Sequence, residues 1–188
     1  ELCHDNAPAD AGQIQYCGLI DDAFVGFLRT AIREDTSELV LTSQGGLVEA
    51  AMEARRLLDQ RGIALRLRRL CVSACAQFVF LPDRNPTVEP DTLVAFHGTS
   101  AALEMTTSNL PEAKNALWRP RLAELAAAER RFYESYGLSE NWLIEGALRN
   151  GGRCIDANVE FKDTAIPRFR FERQTDYWVP ARGMIEKF

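Results

Sequence analysis

The segment ELVLTSQGGLVEAAMEARRLLDQRG, residues 38–62, decides the fold class. It opens on a β-rich run and reaches a glycine pair at Gly45 and Gly46. Residues 47–60 then follow helical periodicity, and Gly62 is placed to stop the helix. The segment therefore predicts a strand, a glycine turn and a helix.

The same order of elements repeats directly downstream. Residues 63–70 alternate apolar side chains with arginines, which predicts a strand, and residues 73–81 form a small and apolar run that predicts a buried helix. Upstream, residues 18–32 have the spacing of an amphipathic helix behind an Asp-rich start. Strands alternating with helices in this way predict βαβ crossovers, so the expected fold class is α/β with a mainly parallel sheet.

The rest of the chain gives weaker signals. Residues 82–90 are rich in Pro and Asp and predict a loop, and residues 92–96 predict a short strand. Residues 111–136 predict a long helix, which Pro120 is expected to kink or divide and Gly137 to end. Ser139 is placed to cap a further helix over residues 139–148, and from Gly151 onward the chain lacks helical periodicity, which predicts strands and loops.

Composition limits the classes of function. The chain has 188 residues, 46% of them hydrophobic and 26% charged, which suits one globular domain over residues 18–188 behind an N-terminal extension of residues 1–17. Its net charge of −5 gives no general attraction to nucleic acid or to an anionic membrane. No apolar run is long enough for a membrane span. We therefore expect neither a nucleic-acid partner nor a membrane span.

The cysteines bear on metals and on compartment. No CxxC pair is present and the chain has two histidines, so we expect no metal site; no Walker motif is present, and we expect no cofactor. The chain opens ELCHDN without Met, which favours a removed signal peptide and a periplasmic or secreted location, with a trimmed cytosolic protein as the alternative. On export, Cys3 and Cys17 would close a disulfide loop. For Cys71 and Cys75 three alternatives remain. They bond to each other, one of them bonds to Cys154, or both stay as buried thiols.

Three short motifs carry residues for nucleophilic catalysis. SQGG (43–46) offers backbone N–H groups at a helix start, CVSAC (71–75) presents Ser73 where a strand turns into a helix, and FHG (96–98) places His97 at a strand end. Each motif alone also has a purely structural explanation, as a turn glycine, a helix cap and a structural histidine. Parallel strands gather their carboxyl ends at one sheet edge, so the three together predict one site.

Taken as a set, these motifs resemble the ClpP/crotonase superfamily, and within it the secreted or periplasmic ClpP-like serine peptidases. The resemblance covers about residues 18–150. It implies that Ser73 is the nucleophile and His97 the general base, with the N–H groups of Gly46 and Ala74 as the oxyanion hole. It further implies that residues from Leu47 onward line a peptide-binding groove and that the long helix mediates assembly into an oligomer.

The third member of the triad departs from the family pattern. The position where ClpP-like peptidases have Asp falls on Asn150, which can orient an imidazole but cannot stabilise its charged form. Asp156 is the predicted substitute acid, with Glu145 and Asp163 as weaker candidates. All of these side chains have the alternative explanation of solvated loop residues.

Three functional hypotheses follow. The first is a serine hydrolase, an ATP-independent peptidase that works through an acyl-enzyme on peptide or protein substrates. The second is a catalytically inactive ClpP-like module that binds a peptide or protein, with Asn150 marking a decayed triad. The third is acyl-CoA chemistry of the crotonase type, which the pairing of Ser73 with His97 argues against.

Overall fold

The computed structural model describes residues 11–100, 112–139, 153–156 and 176–179. The chain divides into two compact units, residues 1–96 with 150–188 and residues 97–149. In chain order the elements are β1 (Gln13–Cys17), α1 (Asp22–Ala31), β2 (Glu38–Ser43), α2 (Val48–Arg61), β3 (Ala64–Val72), the π-helical α3 (Cys75–Phe80), β4 (Thr87–Val88), β5 (Leu93–Ala95), α4 (Glu112–Ser135), β6 (Arg153–Asp156) and β7 (Asp176–Val179).

A parallel five-stranded sheet organises the first unit. Its strands run in the order β1-β2-β3-β4, and β5 also pairs with β3. The two short strands share one side of β3, because β4 pairs beside Arg66 and β5 beside the segment that ends at Val72. The α/β class with a mainly parallel sheet is therefore confirmed.

Two strands of this sheet were not predicted. Thr87–Val88 lies in the segment expected to be a loop, and it pairs with β3. Gln13–Cys17 lies in the segment expected to be an N-terminal extension, and it pairs along its whole length with β2. All five residues of β1 are half-buried, as suits a strand whose pattern is mixed rather than strongly apolar.

Amphipathic helices supply much of the core of this unit. The Asp21 carboxylate accepts a hydrogen bond from the N–H of Phe24 and caps α1, which buries Phe24 and Leu28. Helix α2 buries alanines at 50, 51 and 54, and their small side chains allow close packing. It ends at Gly62, which has a left-handed backbone. Both helices match their predicted positions.

The arginines of β3 form ion pairs with neighbouring strand and loop residues. Arg66 lies 3.0 Å from a Glu38 carboxylate oxygen, and Arg68 donates to both oxygens of Glu89. The two arginines are half-buried. Ion pairs with Glu38 and Glu89 thus account for Arg66 and Arg68 of this strand.

The second unit contains α4. The helix runs from Glu112 to Ser135 with Pro120 inside it, so of the two expected effects of this proline the division does not occur. Ala116, whose carbonyl would accept the bond that proline cannot donate, is exposed, and water can satisfy that carbonyl. The chain leaves the helix at Gly137, which has a positive φ of 70° as predicted. No described helix is long and apolar enough to cross a membrane.

Candidate active site

Ser73 follows β3 directly and has an unusual backbone. Its φ is 57°, in the left-handed region that residues with a Cβ rarely adopt. Its N–H donates to the carbonyl of Ala95 at 3.1 Å, which ties the turn to the end of β5. Ser73 is half-buried, whereas Val72 and Ala74 on either side are buried. The sharp turn therefore presents the serine at a point where its neighbours face the core.

Helix α3 begins immediately behind this serine. The N–H of Gln77 donates to the carbonyl of Ser73 at 2.9 Å, and the N–H of Leu81 donates to the carbonyl of Ala76 at 3.0 Å, five residues back. The N–H of Ala74 belongs to the first turn, which has no acceptor within the helix. This N–H and the positive end of the helix dipole lie beside the serine, as an oxyanion site requires.

The glycine turn after β2 packs on the serine turn. A Cβ at Gly45 would lie 2.7 Å from the Cβ of Ser73, 2.7 Å from the carbonyl oxygen of Val72 and 2.9 Å from the nitrogen of Ala74. Gly45 also has a φ of 96° and donates its N–H to the hydroxyl of Ser43. The close approach therefore requires glycine at residue 45.

Gly46 is held from the opposite side. It forms an isolated parallel bridge with Ile20, whose N–H donates to the carbonyl of Gly45 at 2.9 Å and whose carbonyl accepts from the N–H of Leu47 at 2.8 Å. The turn that contains the predicted oxyanion residue Gly46 therefore packs on the turn that contains Ala74, through the close approach of Gly45.

A disulfide spans the serine. Cys71 and Cys75 are bonded, with their Cα atoms 5.3 Å apart, and both are fully buried. This settles the open pairing of these two cysteines, and it joins the end of β3 to the start of α3 across Ser73. Cys17 is also disulfide-bonded, and the identity of its partner lies outside the described residues. The predicted bond from Cys3 to Cys17 stays a prediction.

A bulge lies three to five residues before the serine. Leu41 pairs with Leu67 and Ser43 with Cys71, so β3 has two more residues than β2 over this stretch. Arg69, within the bulge, has a φ of 63°, and its N–H donates to the hydroxyl of Thr92 at 3.1 Å. Bulges bend a strand and redirect its side chains. This one sets the direction in which β3 enters the serine turn.

His97 is the first residue of the second unit and the second residue after β5. Its Nδ1 lies 2.8 Å from the carbonyl oxygen of Gly98, so Nδ1 carries the proton and donates it to that oxygen. Burial lowers the pKa of His97 from its ordinary value of 6.5, although the contact with Gly98 acts in the opposite direction. The ring is therefore neutral at neutral pH, with Nε2 as the acceptor nitrogen.

The predicted acids fall largely outside the part of the chain that the structure describes. Asn150, Glu145 and Asp163 all lie outside it. Asp156 ends β6 and pairs with Asp176 of β7, and its side chain is not among those described. The assignment of a third triad member to Asp156 or Asn150 stays a prediction.

A buried pair that the sequence did not predict lies in the second unit. Glu129 of α4 accepts from the N–H of Ser100 at 3.0 Å and from its hydroxyl at 2.6 Å. The available signal was a glutamate at a position where the helical spacing of Ala126 and Tyr133 calls for an apolar residue. Within the described residues, no group of three or more His, Cys, Asp or Glu side chains is placed to hold a metal ion.

Comparison with known proteins supports the fold. No family model matches the chain, and no curated protein matches it in sequence. Among solved structures, the chain is similar to a point mutant of ClpP1 from Listeria monocytogenes, with a TM-score of 0.51 and 17% sequence identity. The match covers 72% of this chain and 78% of that one. The fold is therefore that of the ClpP/crotonase type.

Proposed function

We propose that this protein is a serine hydrolase of the peptidase type, in which Ser73 is the nucleophile and His97 the general base. The observation that carries the proposal is the positive φ of Ser73 at a strand-to-helix turn, with the glycine turn packed against it. A left-handed backbone costs a serine roughly 1–2 kcal/mol. Such a conformation persists where the surroundings impose it, and it is common at active sites.

The chemistry follows from these parts. The Ser73 hydroxyl attacks the acyl carbon as its proton passes to Nε2 of His97, and the N–H groups of Gly46 and Ala74 stabilise the oxyanion. The imidazolium then protonates the leaving amine, and a water molecule activated by the same ring releases the acyl group. The lowered pKa of His97 supports its role as base, since the ring is neutral when the reaction starts.

The proposed substrate is a peptide or an unfolded protein. Leu19 and Leu47 are the exposed large hydrophobic residues of the described chain, at 47% and 53% exposure, and they flank the bridge between Ile20 and Gly46. Apolar side chains beside the glycine turn suit a groove for the side chains of an extended peptide. The proposal includes no ATP dependence and no cofactor.

The proposal extends to compartment and assembly. A periplasmic or secreted location is supported by the Cys71–Cys75 disulfide and the bonded Cys17, because disulfides persist in oxidising compartments. Assembly through α4 into a homo-oligomer is supported by the length of this helix. Sedimentation at several protein concentrations tests assembly, and a strictly monomeric protein would exclude it.

Labelling with a serine-directed fluorophosphonate tests the function. The reagent needs the hydroxyl, a proton acceptor and an oxyanion site together, so we expect one covalent adduct at Ser73. His97→Ala should abolish this labelling, and Asp156→Ala should slow it if that carboxylate orients the ring. Ser37→Ala is the matched control, since Ser37 is more exposed than Ser73 and lies away from the serine turn.

The labelling pattern separates the hypotheses. A folded protein that takes up no probe at Ser73 at neutral and mildly alkaline pH would favour the inactive peptide-binding module. An adduct at Ser37 rather than Ser73 would show simple surface reactivity. Labelling of Ser73 that survives His97→Ala would show that the base is misassigned. Cleavage of a fluorescent peptide library, lost in Ser73→Ala, then defines the peptidase activity.

A further inference from the structure

Helix α4 carries a buried carboxylate in its C-terminal half. Glu129 is 3% exposed, and the buried neighbours on its face of the helix are Ala126, Phe132 and Tyr133. A buried carboxylate is costly unless its oxygens are hydrogen-bonded. The carboxylate oxygens of Glu129 therefore need hydrogen-bond donors from the protein.

Ser100 meets that requirement with both of its donors. Its N–H lies 3.0 Å from Oε2 of Glu129, and its hydroxyl lies 2.6 Å from Oε1. Ser100 is 4% exposed, so the pair is shielded from water. Hydrogen bonds to a charged acceptor are about twice as strong as neutral ones. The carboxylate thus fixes both the backbone and the side chain of Ser100.

Ser100 is the third residue after His97 and directly follows the loop of residues 97–99, which contains Gly98. The carbonyl of Gly98 accepts the Nδ1 proton of His97 at 2.8 Å, so the position of this carbonyl favours one tautomer and one orientation of the ring. Two residues further along the chain, Ser100 is held by Glu129. The position of the imidazole therefore depends on a loop whose far end is bonded to α4.

We propose that Glu129 is a positioning residue, which holds the loop from His97 to Ser100 so that the Gly98 carbonyl orients the imidazole. The proposal rests on the proposed function for the role of His97 as general base. Glu129 acts here through Ser100 and does not touch the substrate. The buried carboxylate then supports the ring indirectly, through a backbone carbonyl.

Substitutions at Glu129 distinguish positioning from bulk packing. Glu129→Gln keeps the shape and both hydrogen bonds, because the amide oxygen accepts the Ser100 N–H and the amide nitrogen donates to the hydroxyl. Glu129→Leu keeps the volume and loses both bonds. Ser100→Ala removes only the hydroxyl, and it serves if Glu129→Leu does not fold. Glu124→Leu is the matched control, since Glu124 lies on the same helix with its side chain 73% exposed.

The first readout is the ring of His97 itself. The chain has two histidines, so His4→Gln leaves a single imidazole in proton–nitrogen correlation spectra. We expect the Nδ1–H tautomer and a pKa below 6.5 in the parent, Glu129→Gln and Glu124→Leu proteins. In Glu129→Leu we expect mixed tautomers and a pKa below that of the parent, because the Gly98 contact that raises it is lost, and in Ser100→Ala a smaller change in the same direction. An unchanged tautomer and pKa in folded Glu129→Leu and Ser100→Ala proteins would overturn the proposal.

The second readout is the rate of Ser73 labelling. Misplacement of a general base costs about tenfold or more, so Glu129→Leu should label at least about tenfold more slowly while Glu129→Gln stays near the parent rate. Equal rates in Glu129→Leu and the parent would also overturn the proposal. The two readouts are separable: a parent protein that does not label contradicts the proposed function, whereas the His97 spectra still decide whether Glu129 positions the ring.

Discussion

Gly45→Ala is the sharpest test of the packing between the glycine turn and the serine turn. Two costs are expected. Alanine at a φ of 96° bears a left-handed strain of roughly 1–2 kcal/mol. The new methyl group also meets the Ser73 Cβ and the Val72 carbonyl oxygen at 2.7 Å, a distance at which something must shift. Overpacking of this kind costs about 1–3 kcal/mol more.

Gly62→Ala separates these two costs. Gly62 has a φ of 65°, and a Cβ there would meet nothing within 4 Å. Its strain is partly offset by the lower entropy of the unfolded chain, worth about 0.4–1 kcal/mol, so the net loss of stability is about 1 kcal/mol. We expect Gly45→Ala to lose about 3 kcal/mol in denaturant unfolding, and the difference between the two variants measures the close approach.

The rate of Ser73 labelling should depend on the packing between the glycine turn and the serine turn, and not on the overall free energy of unfolding. In Gly45→Ala the serine turn must shift, so Ser73 labelling should slow by about tenfold or more, whereas Gly62→Ala should label at the parent rate. The comparison is made well below the unfolding midpoint of both variants. If Gly45→Ala matches Gly62→Ala in both stability and labelling, the turn packing has no role in presenting the serine.

Three further predictions concern stability and pH. Arg55→Met removes a guanidinium that is 3% exposed and lies 2.7 Å from Asp83, and the loss of one partner of a buried pair should cost about 3–5 kcal/mol; a loss below about 1 kcal/mol in urea unfolding contradicts this. The double variant Cys71→Ala, Cys75→Ala should lose about 2 kcal/mol through loop-closure entropy and should label Ser73 more slowly, so unchanged labelling would show that the disulfide has no part in holding the turn. Because burial lowers the pKa of His97, the rate of Ser73 labelling should be near its maximum at neutral pH and should fall as the pH is lowered, with a midpoint below 6.5. The free energy of unfolding should also decline as the pH falls below 6.5, since the unfolded chain binds the proton more tightly. A labelling midpoint at or above 6.5 contradicts this.

Local patterns were sufficient for the elements around Ser73. Strand β2, helix α2 and strand β3 were predicted because their apolar periodicity is strong and because glycines separate α2 from the strand on either side of it. The two-residue β4 was missed because Pro86 and Pro90 surround it, and prolines are tolerated when they flank so short an edge strand. Strand β1 was missed because it is half-buried throughout, so no apolar run marks it.

Features that depend on spacing in three dimensions were beyond the sequence. Cys71 had two candidate partners, and the geometry of the turn decides between them by bringing the Cα of Cys75 to 5.3 Å. The need for glycine at residue 45 arises from contacts with a serine that is 28 residues away in the chain. Neither feature has a local pattern.

The contact at Nδ1 of His97 also has no local pattern in the sequence. Asn150 and Asp156 were predicted as candidates for the third triad member because sequence motifs identify side chains and not backbone groups. Within the part of the chain that the structure describes, the backbone carbonyl of Gly98 contacts Nδ1 of His97, and every residue has a carbonyl, so no motif marks this contact. The sequence does show an unusual glutamate at residue 129, on the apolar side of a helix. Burying this carboxylate is unfavourable unless donors satisfy its oxygens, and Ser100 supplies two of them.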